Sequence, residues 1–361
     1  MEKMNILITA PSLDPKKNIS GISSVVQIII KNNEKYSYYH YLLGKPDNKN
    51  ILVQILLLVK CLLFFPFALW KDHINIVHQN FPFDPKGILR EYVINQWCKL
   101  FRVPVVLHIH GGVFFMNKTY NKLYPFLIKK IFKNSRAVIV LSNTEKESLS
   151  RNYQYPNAFI LENCIDVSLF ISLKRNKVLS MPAFLFMGRI HESKGLNDIL
   201  KAFELLKKDG INFKFLLCGD GPLKKSIVPQ FETLLPNQFE YWGVVSGQRK
   251  LDAIQSAGFF LLPSRYGEGL PIALLETMAA GVVPIVTDDA SMKYIVKNEQ
   301  NGMIVEKRNP NDLYQKMKTL ILNPDLCEAL SMNAKNTIAE RFDIKDYIFQ
   351  LNFIYEIVIR Q

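Results

Sequence analysis

Residues 259–288 run FFLLPSRYGEGLPIALLETMAAGVVPIVTD, a pattern that predicts a strand, a loop, a helix and a second strand. FFLLP and VVPIVTD are apolar runs of strand length, and PIALLETMAA is a helical segment with a proline in its first turn. Two strands joined through a helix are typical of a parallel sheet. The loop SRYGEG is therefore expected at the carboxyl end of a strand, where such sheets bind their ligands.

The same alternation of strands and helices runs along the whole chain of 361 residues. Further strand-like runs are MNILITA, YYHYLLG, INIVHQ, PVVLHIH, AVIVLS, AFLFMGR, FKFLLCGDG and FEYWG. A polar stretch that ends at Pro182 divides them into two sets. We predict two doubly wound, Rossmann-like α/β domains with parallel sheets, residues 1–178 and 179–341, facing each other across a ligand-binding cleft. An amphipathic helix, residues 342–361, is expected to pack back toward the first domain.

Composition narrows the class of protein. The formal net charge is +13, which favours anionic partners such as nucleotides, nucleic acid or an acidic bilayer. The five cysteines are scattered and form no CxxC pair, so the sequence predicts neither a disulfide framework nor a zinc ribbon. The start MEKMNILITAPS lacks the pattern of a secretory signal, and we expect a cytoplasmic protein.

Residues 51–70, ILVQILLLVKCLLFFPFALW, are as long and apolar as a membrane span. The next strand begins three residues later. A single crossing would place that strand and the first strand on opposite sides of a bilayer, so that their sheet could not form. The sequence therefore favours a buried crossover helix.

The loop and helix at residues 264–280 carry two carboxylates, Glu268 and Glu276, eight positions apart. Backbone N–H groups at a helix start can hold a phosphate, and glycines let the backbone approach a ligand. Acids beside such a phosphate site would be repelled by the phosphate, and they are better suited to accept hydrogen bonds from sugar hydroxyls. Acids in first helical turns are also common for capping reasons, so this stretch does not decide the function by itself.

A second loop, in FMGRIHESKGLNDIL, places Gly188 and Arg189 after a strand and Lys194 before a helix. A guanidinium and an ammonium five positions apart suit a diphosphate, although an ordinary solvated lysine is also common at such a position. The GDG turn at residues 219–221 has no third glycine at the dinucleotide spacing, and the chain has no Walker loop.

Three motifs taken together, GRIHESKG, CGDGP and PSRYGEGLPIALLETMAAGVVPIVTD, resemble the signature of the retaining family 4 glycosyltransferases of GT-B fold. That family carries two glutamates in an E-x7-E spacing, which correspond here to Glu268 and Glu276. The similarity is ordered across residues 183–289 and diffuse over the first half of the chain.

The resemblance implies a nucleotide-sugar donor held mainly by the second domain. Arg189 and Lys194 would hold the diphosphate, with Gly188 beside them and the helix start at Gly269, Leu270 and Pro271 assisting. Glu268 would hold hydroxyls of the donor sugar, and Glu276 would hold the ribose.

In the first domain, the family's glycine-rich loop corresponds to NISGISS, in which Gly21 would approach the phosphate or the acceptor. The family often has two adjacent glycines there, whereas this chain has Ser20 and Gly21. VVLHIHGG matches the family's strand-end histidine, which makes His110 the expected residue beside the donor sugar. ENCID resembles the family's Asn-Gly-Val/Ile-Asp loop, with Cys164 where glycine is common.

His108 and His110 lie two positions apart on a strand, share one face and could both bind one metal ion. No third ligand is recognisable nearby and the chain has no DxD motif, so we expect no metal and no cofactor. His108 fits better as a packed histidine.

Residues 117–136 mix six basic residues with an apolar stripe. This pattern fits an ordinary surface helix docked on its sheet, and it also fits a peripheral contact with an anionic membrane. Phe114 and Phe115 beside it could contact a lipid-linked acceptor.

The resemblance implies a metal-independent retaining hexosyltransferase that uses a nucleotide sugar, and the precedent of that family favours UDP-sugars, with GDP-sugars an alternative. Its acceptor would be a glycan or a lipid-linked glycan in cell-surface polysaccharide biosynthesis, at the inner face of the membrane. A catalytically silent glycan-binding protein of GT-B fold and a sugar-nucleotide epimerase of related fold are the alternatives. Nucleic-acid binding has no support beyond the net charge, because no recognised module interleaves basic residues with aromatics.

Overall fold

A computed structural model describes residues 3–14, 21–44, 51–112, 123–173, 181–266, 268–289 and 291–360. Contacts divide the chain into two compact units, residues 1–163 with 344–361, and residues 164–343. The boundary expected between residues 178 and 179 falls on a stretch outside the described residues.

The first unit contains a parallel sheet of six strands in the order β2-β1-β3-β4-β5-β6. Its strands are β1 Asn5–Ala10, β2 Ser37–Leu42, β3 Ile76–Phe81, β4 Val105–Ile109, β5 Ala137–Val140 and β6 Phe159–Ile160. The helices between them are α1 Gly21–Asn32, α2 Ile51–Lys71, α3 Pro85–Leu100, α4 Leu123–Asn134 and α5 Asn143–Tyr153. β3 and β4 are buried along their whole length, because helices cover both faces of a doubly wound sheet.

The second unit repeats the plan with the strand order β12-β11-β10-β7-β8-β9, again all parallel. Its strands are β7 Ala183–Met187, β8 Lys214–Cys218, β9 Phe239–Gly243, β10 Phe259–Leu262, β11 Val283–Thr287 and β12 Met303–Val305. Its helices are α6 Ser168–Ile171, α7 Leu196–Lys208, α8 Lys224–Leu234, α9 Gly247–Gln255, α10 Ile272–Ala279, α11 Met292–Ile295, α12 Pro310–Leu322 and α13 Pro324–Arg341. Two six-stranded parallel sheets with helices therefore confirm the predicted fold class.

The last helix, α14 Ile344–Arg360, belongs to the first unit and packs against α1. Its Tyr355 is fully buried, with its ring at right angles to that of Tyr36. Asn352 of this helix accepts a hydrogen bond from Asn33, which follows α1. These contacts bring the end of the chain to the sheet that holds its beginning.

Helix α2 corrects one expectation from the sequence. It does cross over from β2 to β3 and buries Phe65 and Leu69 in the core of the first unit. Its opposite face is exposed, however, and carries a row of large apolar side chains that includes Leu56, Leu63 and Trp70. The helix is therefore buried on one side only, since no element of the described chain covers the other.

Candidate active site

The second sheet reverses its strand order at the neighbouring strands β7 and β10, the point at which doubly wound sheets bind ligands. Two loops leave the carboxyl ends of these strands, residues 188–195 and 263–271. The two loops pack closely against each other, and the Arg265 N–H donates a hydrogen bond to the Ser193 carbonyl at 2.7 Å. A Cβ at Gly195, whose φ is +74°, would lie 2.1 Å from the Pro263 oxygen, so only glycine fits this contact.

Lys194 and Glu268 meet where the two loops touch. Lys194 Nζ lies 2.5 Å from Glu268 Oε1, and the glutamate also accepts a hydrogen bond from Ser264 Oγ. Glu268 N–H donates to Asp289 Oδ2 at 2.9 Å, and Lys307 Nζ lies 2.6 Å from the other oxygen of that aspartate. The structure therefore brings together two predicted site residues in a network whose carboxylates are buried and which joins the ends of four adjacent strands.

Glu276, the second glutamate of the pair, lies in α10 and is also buried. Its carboxylate forms an ion pair and a hydrogen bond with Lys250 of α9. A buried carboxylate with a single cationic partner can exchange that partner for the hydroxyl groups of a ligand. Each glutamate of the motif thus holds one lysine.

The start of α10 lies between the two glutamates. Pro271 is its N-cap residue in extended conformation, and no side chain of the described residues caps this end. Leu270 is buried, and Gly269 is partly exposed before it. The first-turn N–H groups are therefore not satisfied by a capping side chain, which is the condition in which a helix start binds an anion.

Arg189 follows β7 and is exposed. It forms no ion pair or hydrogen bond within the part of the chain that the structure describes. Gly188, next to it, donates to the Cys218 carbonyl at 3.0 Å, and a Cβ at Gly219 would lie 1.8 Å from the Gly188 oxygen. The turn after β8 thus packs on the Gly188–Arg189 turn.

In the first unit, His110 directly follows β4, and its Nε2 lies 2.6 Å from Asn80 Oδ1. The amide of Asn80 has a defined orientation because its Nδ2 donates to the Thr9 carbonyl at 2.9 Å. Asn80 Oδ1 can only accept, so the proton of His110 lies on Nε2. Burial lowers the pKa of His110 to about 3, and the neutral ring has an unprotonated Nδ1 at neutral pH.

A series of buried side chains in contact with one another connects His110 to helix α14. Tyr355 Oη lies 2.6 Å from His78 Nδ1, and His78 Nε2 lies 3.2 Å from His108 Nδ1. The rings of His108 and His110 are 4.0 Å apart between centroids. Burial lowers the pKa of His78 to about 3 and that of His108 well below its ordinary value. Helix α14, which carries Tyr355, thus supports the histidine at the end of β4.

Gly21 is the first residue of α1 and is exposed. A Cβ built there would meet no atom of the described residues within 4 Å. Packing against these residues therefore does not require glycine at this position. The loop before it, which includes Ser20, lies outside the described residues, as do Gly267, Phe114 and Phe115.

Several residues of these networks were not predicted from the sequence: Asn80, Lys250, Ser264, Asp289 and Lys307. Asp289 and Ser264 both follow apolar strands, and this strand-end position is the signal that could have identified them. Lys250 has no such signal, because it lies in α9 and meets Glu276 only in the folded unit. Within the described residues, no group of three or more His, Cys, Asp or Glu side chains is arranged to hold a metal ion.

Comparison with known families accounts for most of the chain. The profile described as "Glycosyl transferases group 1" matches residues 171–337, and that described as "Glycosyltransferase Family 4" matches residues 40–169. The chain belongs to the family 4 glycosyltransferases. As a member of this family it transfers a sugar from a nucleotide sugar with retention of configuration, as the sequence motifs predicted.

Individual relatives are distant. A UDP-Gal:alpha-D-GlcNAc-diphosphoundecaprenol alpha-1,3-galactosyltransferase of Escherichia coli is 24% identical over 82% of this chain and 79% of its own. An N-acetylgalactosamine-N,N'-diacetylbacillosaminyl-diphospho-undecaprenol 4-alpha-N-acetylgalactosaminyltransferase of Campylobacter jejuni is 27% identical over 64% of this chain and 63% of its own.

Solved structures share the fold at low identity. Sucrose-phosphate synthase from Thermosynechococcus elongatus superposes with a TM-score of 0.81 at 16% identity, covering 98% of both chains. Anabaena HepE in complex with UDP-glucose superposes with a TM-score of 0.76 at 16% identity, covering 99% of this chain and 100% of that one. The GT-B fold is therefore confirmed. Among the described residues, we find no helix whose length and apolar composition would let it cross a bilayer.

Proposed function

We propose that this family 4 enzyme transfers a hexose from a UDP-sugar to a lipid-linked glycan acceptor in cell-surface polysaccharide biosynthesis, at the cytoplasmic face of the membrane. The observation that carries the proposal is the Lys194–Glu268 contact at the start of α10. It combines a cation for a diphosphate with an acid for sugar hydroxyls at the switch point of the sheet. GDP-sugars remain the second choice of donor.

The acceptor class is supported by two relatives whose names specify sugars linked to undecaprenol through a diphosphate. The donor class is supported by the UDP-Gal in the first of these names and by the UDP-glucose bound to Anabaena HepE. An acceptor of this kind resides in a membrane, which agrees with the positive net charge of this chain.

The proposed chemistry assigns each residue one role. Arg189, Lys194 and the N–H groups at Gly269 and Leu270 stabilise the negative charge that develops on the leaving diphosphate, as an oxyanion hole does. The bond from the anomeric carbon to the diphosphate breaks, and a phosphate oxygen takes the proton of the acceptor hydroxyl. The new bond forms on the face that the diphosphate leaves, so that configuration is retained.

The remaining residues position the substrates. Glu268 accepts hydrogen bonds from donor-sugar hydroxyls, and Glu276 accepts them from the ribose, each in place of its lysine. His110 offers its unprotonated Nδ1 to a hydroxyl of the donor sugar, and Gly21 lets the backbone approach the phosphate or the acceptor.

Thermal unfolding with a panel of nucleotide sugars, followed by mass analysis of products, tests the proposal. A bound donor at 100 times its dissociation constant stabilises the fold by about 2.7 kcal/mol. We expect UDP-hexoses to raise the melting temperature, and nucleoside diphosphate to be released when an undecaprenyl-diphosphate sugar is added. Donor binding without release of nucleoside diphosphate, either with or without acceptor, would indicate a silent binding protein. Donor isomerisation without acceptor would indicate an epimerase.

A further inference from the structure

The exposed side of α2 is strongly apolar. Among the side chains of this helix that the structure describes, eight are large, apolar and exposed: Val53, Ile55, Leu56, Val59, Leu63, Phe64, Phe67 and Trp70. Leu56, Leu63 and Trp70 are 69%, 66% and 69% exposed, and their spacing of seven places them in one row along the helix. Single exposed apolar residues are normal, but a contiguous row of this length marks an interaction surface.

Neighbouring helices continue this surface. The connections β2 to β3, β3 to β4 and β4 to β5 all run in one direction across the sheet, so right-handed crossovers place α2, α3 and α4 on the same face. α3 packs against both α2 and α4. Exposed apolar side chains on α3, on α4 and at the end of α3 extend the row: Leu89, Val93, Leu100, Phe101, Leu123 and Phe126. We call the solvent-facing side of residues 51–71, 85–102 and 123–136 the α2–α4 face.

Charge on the α2–α4 face has a single sign. Glu91 is the one acidic residue in the three helices, and it is fully buried, held by Arg90 and Gln79. The three helices and the residues directly after them carry eight exposed cations: Lys60, Lys71, Lys99, Arg102, Lys129, Lys130, Lys133 and Arg136. Two acids flank these helices: Asp84 is the N-cap of α3 and accepts a hydrogen bond from the Gly87 N–H, and Asp72, directly after α2, is half-buried.

Four of these cations line one groove. A cavity of about 850 Å³ near the amino ends of β3 and β4 is bordered by Lys99, Arg102, Lys133 and Arg136. No acidic residue lines this cavity. Within the described residues, none of the four forms an ion pair with a carboxylate. Uncompensated cations beside an apolar row match phosphate headgroups above acyl chains.

We propose that the α2–α4 face is a membrane-docking surface that binds an anionic lipid bilayer. The apolar row of α2 enters the acyl boundary, Trp70 lies at the headgroup level, and the groove cations contact lipid phosphates. A second copy of this chain fits less well, because a two-fold contact would place these cations against themselves. This inference rests on the proposed function, because it names the surface by which the enzyme would attach to the membrane. Its test uses neither donor nor acceptor, so the docking surface and the proposed function can fail independently.

Co-sedimentation with vesicles tests the docking surface. Wild-type protein is expected to bind phosphatidylglycerol/phosphatidylcholine vesicles, to bind phosphatidylcholine alone at least tenfold more weakly, and to lose binding as salt is added. Leu56→Gln, Leu63→Gln and Trp70→Gln together should lower the partition coefficient at least tenfold. The matched control is Phe349→Gln with Phe353→Gln, which removes two exposed apolar side chains of α14 and should leave binding unchanged.

The groove is tested by Lys99→Gln, Arg102→Gln and Lys133→Gln combined. This variant should lose the preference for anionic vesicles, whereas Lys201→Gln, Lys208→Gln and Lys225→Gln, which remove three exposed lysines of the second unit, should keep it. Near-native melting temperatures exclude misfolding as the cause. Bromolipids should quench the fluorescence of wild-type protein more strongly than that of Trp70→Phe.

Three results would overturn the proposal. The first is wild-type protein that stays in the supernatant with anionic vesicles at low salt. The second is an equal loss of binding in the α14 control. The third is a dimer in sedimentation velocity that the α2 variant dissociates while vesicle binding persists, which would identify a second copy of the chain as the occupant.

Discussion

Lys194 and Glu268 lie 74 positions apart in the chain, yet Nζ of the lysine is 2.5 Å from Oε1 of the glutamate. The loops after β7 and β10 create this contact because these strands are neighbours at the switch point of the sheet. A donor with both a diphosphate and hydroxyl groups can satisfy the two side chains separately. The contact therefore holds the Lys194 ammonium and the Glu268 carboxylate side by side at the point where we propose that the donor binds.

Removal of either proposed diphosphate cation should reduce turnover. We expect Lys194→Ala and Arg189→Ala each to lower kcat/KM by about 100-fold or more, because charge on the leaving group loses its stabilisation. Steady-state release of nucleoside diphosphate measures the effect. Lys201→Ala, an exposed lysine of α7, is the control and should retain activity. Near-normal turnover in both Lys194→Ala and Arg189→Ala would exclude the proposed site.

Glu276→Gln tests the ribose contact. If this carboxylate binds a part of the donor that does not react, the variant should raise the KM for donor about 10-fold or more and change kcat much less. Glu232→Gln removes an exposed acid of α8 and should alter neither constant. A fall in kcat at unchanged KM would show that Glu276 acts on the transition state instead.

The contact between Asn80 and His110 predicts a particular tautomer. Long-range ¹H–¹⁵N spectra of histidine-labelled protein should show the proton of His110 on Nε2 and no titration of the ring between pH 8 and about 5, since its pKa is lowered to about 3. Asn80→Leu removes the acceptor, and we expect a mixture of tautomers together with lower kcat. Protonation on Nδ1 in the wild type would contradict the assigned orientation.

The buried histidines should make the first unit sensitive to acid. His78 and His110 have pKa values lowered to about 3, whereas an unfolded chain protonates histidine near pH 6.5. Because the unfolded state then binds more protons, stability falls as pH drops below about 6.5, by about 1.4 kcal/mol per pH unit for each buried histidine. Chemical denaturation between pH 7.5 and 5 measures this slope. His73→Asn, which removes an exposed histidine at positive φ, should leave the slope unchanged.

Glu145 should affect the pH dependence of stability in the direction opposite to that of the buried histidines. Burial raises the pKa of this carboxyl to about 7, although the Leu141 N–H bonded to it has the opposite effect. The contribution of the protonated Glu145 carboxyl to the free energy of unfolding is fully present below the pKa that this group has in the unfolded chain. It is lost as pH rises toward 7. Glu145→Gln keeps an acceptor for Leu141 and should stabilise the protein at pH 8 by about 2 kcal/mol and much less at pH 5. The exposed Glu147→Gln on the same helix should show no such pH-dependent gain.

Not all elements were predictable. β12 Met303–Val305 has three residues, too few to show a period, and the sequence pattern predicts neither this strand nor α12 and α13. These two helices bury few residues each, such as Leu313 and Met317 in α12, so their apolar pattern is sparse. Helix α2 shows the reverse difficulty, because a segment that is apolar on every side carries no signal of which side the sheet covers.

Local sequence encodes the βαβ alternation, the two tandem sheets and the motif that identifies the family, because turns, strand lengths and the loop before α10 depend on neighbouring residues. The folded chain is needed to bring Lys194 to Glu268, Lys250 to Glu276 and Asn80 to His110, and to expose one side of α2 to solvent. These contacts join residues from different strands and helices, and the order of strands in a sheet, which no local pattern encodes, brings them together.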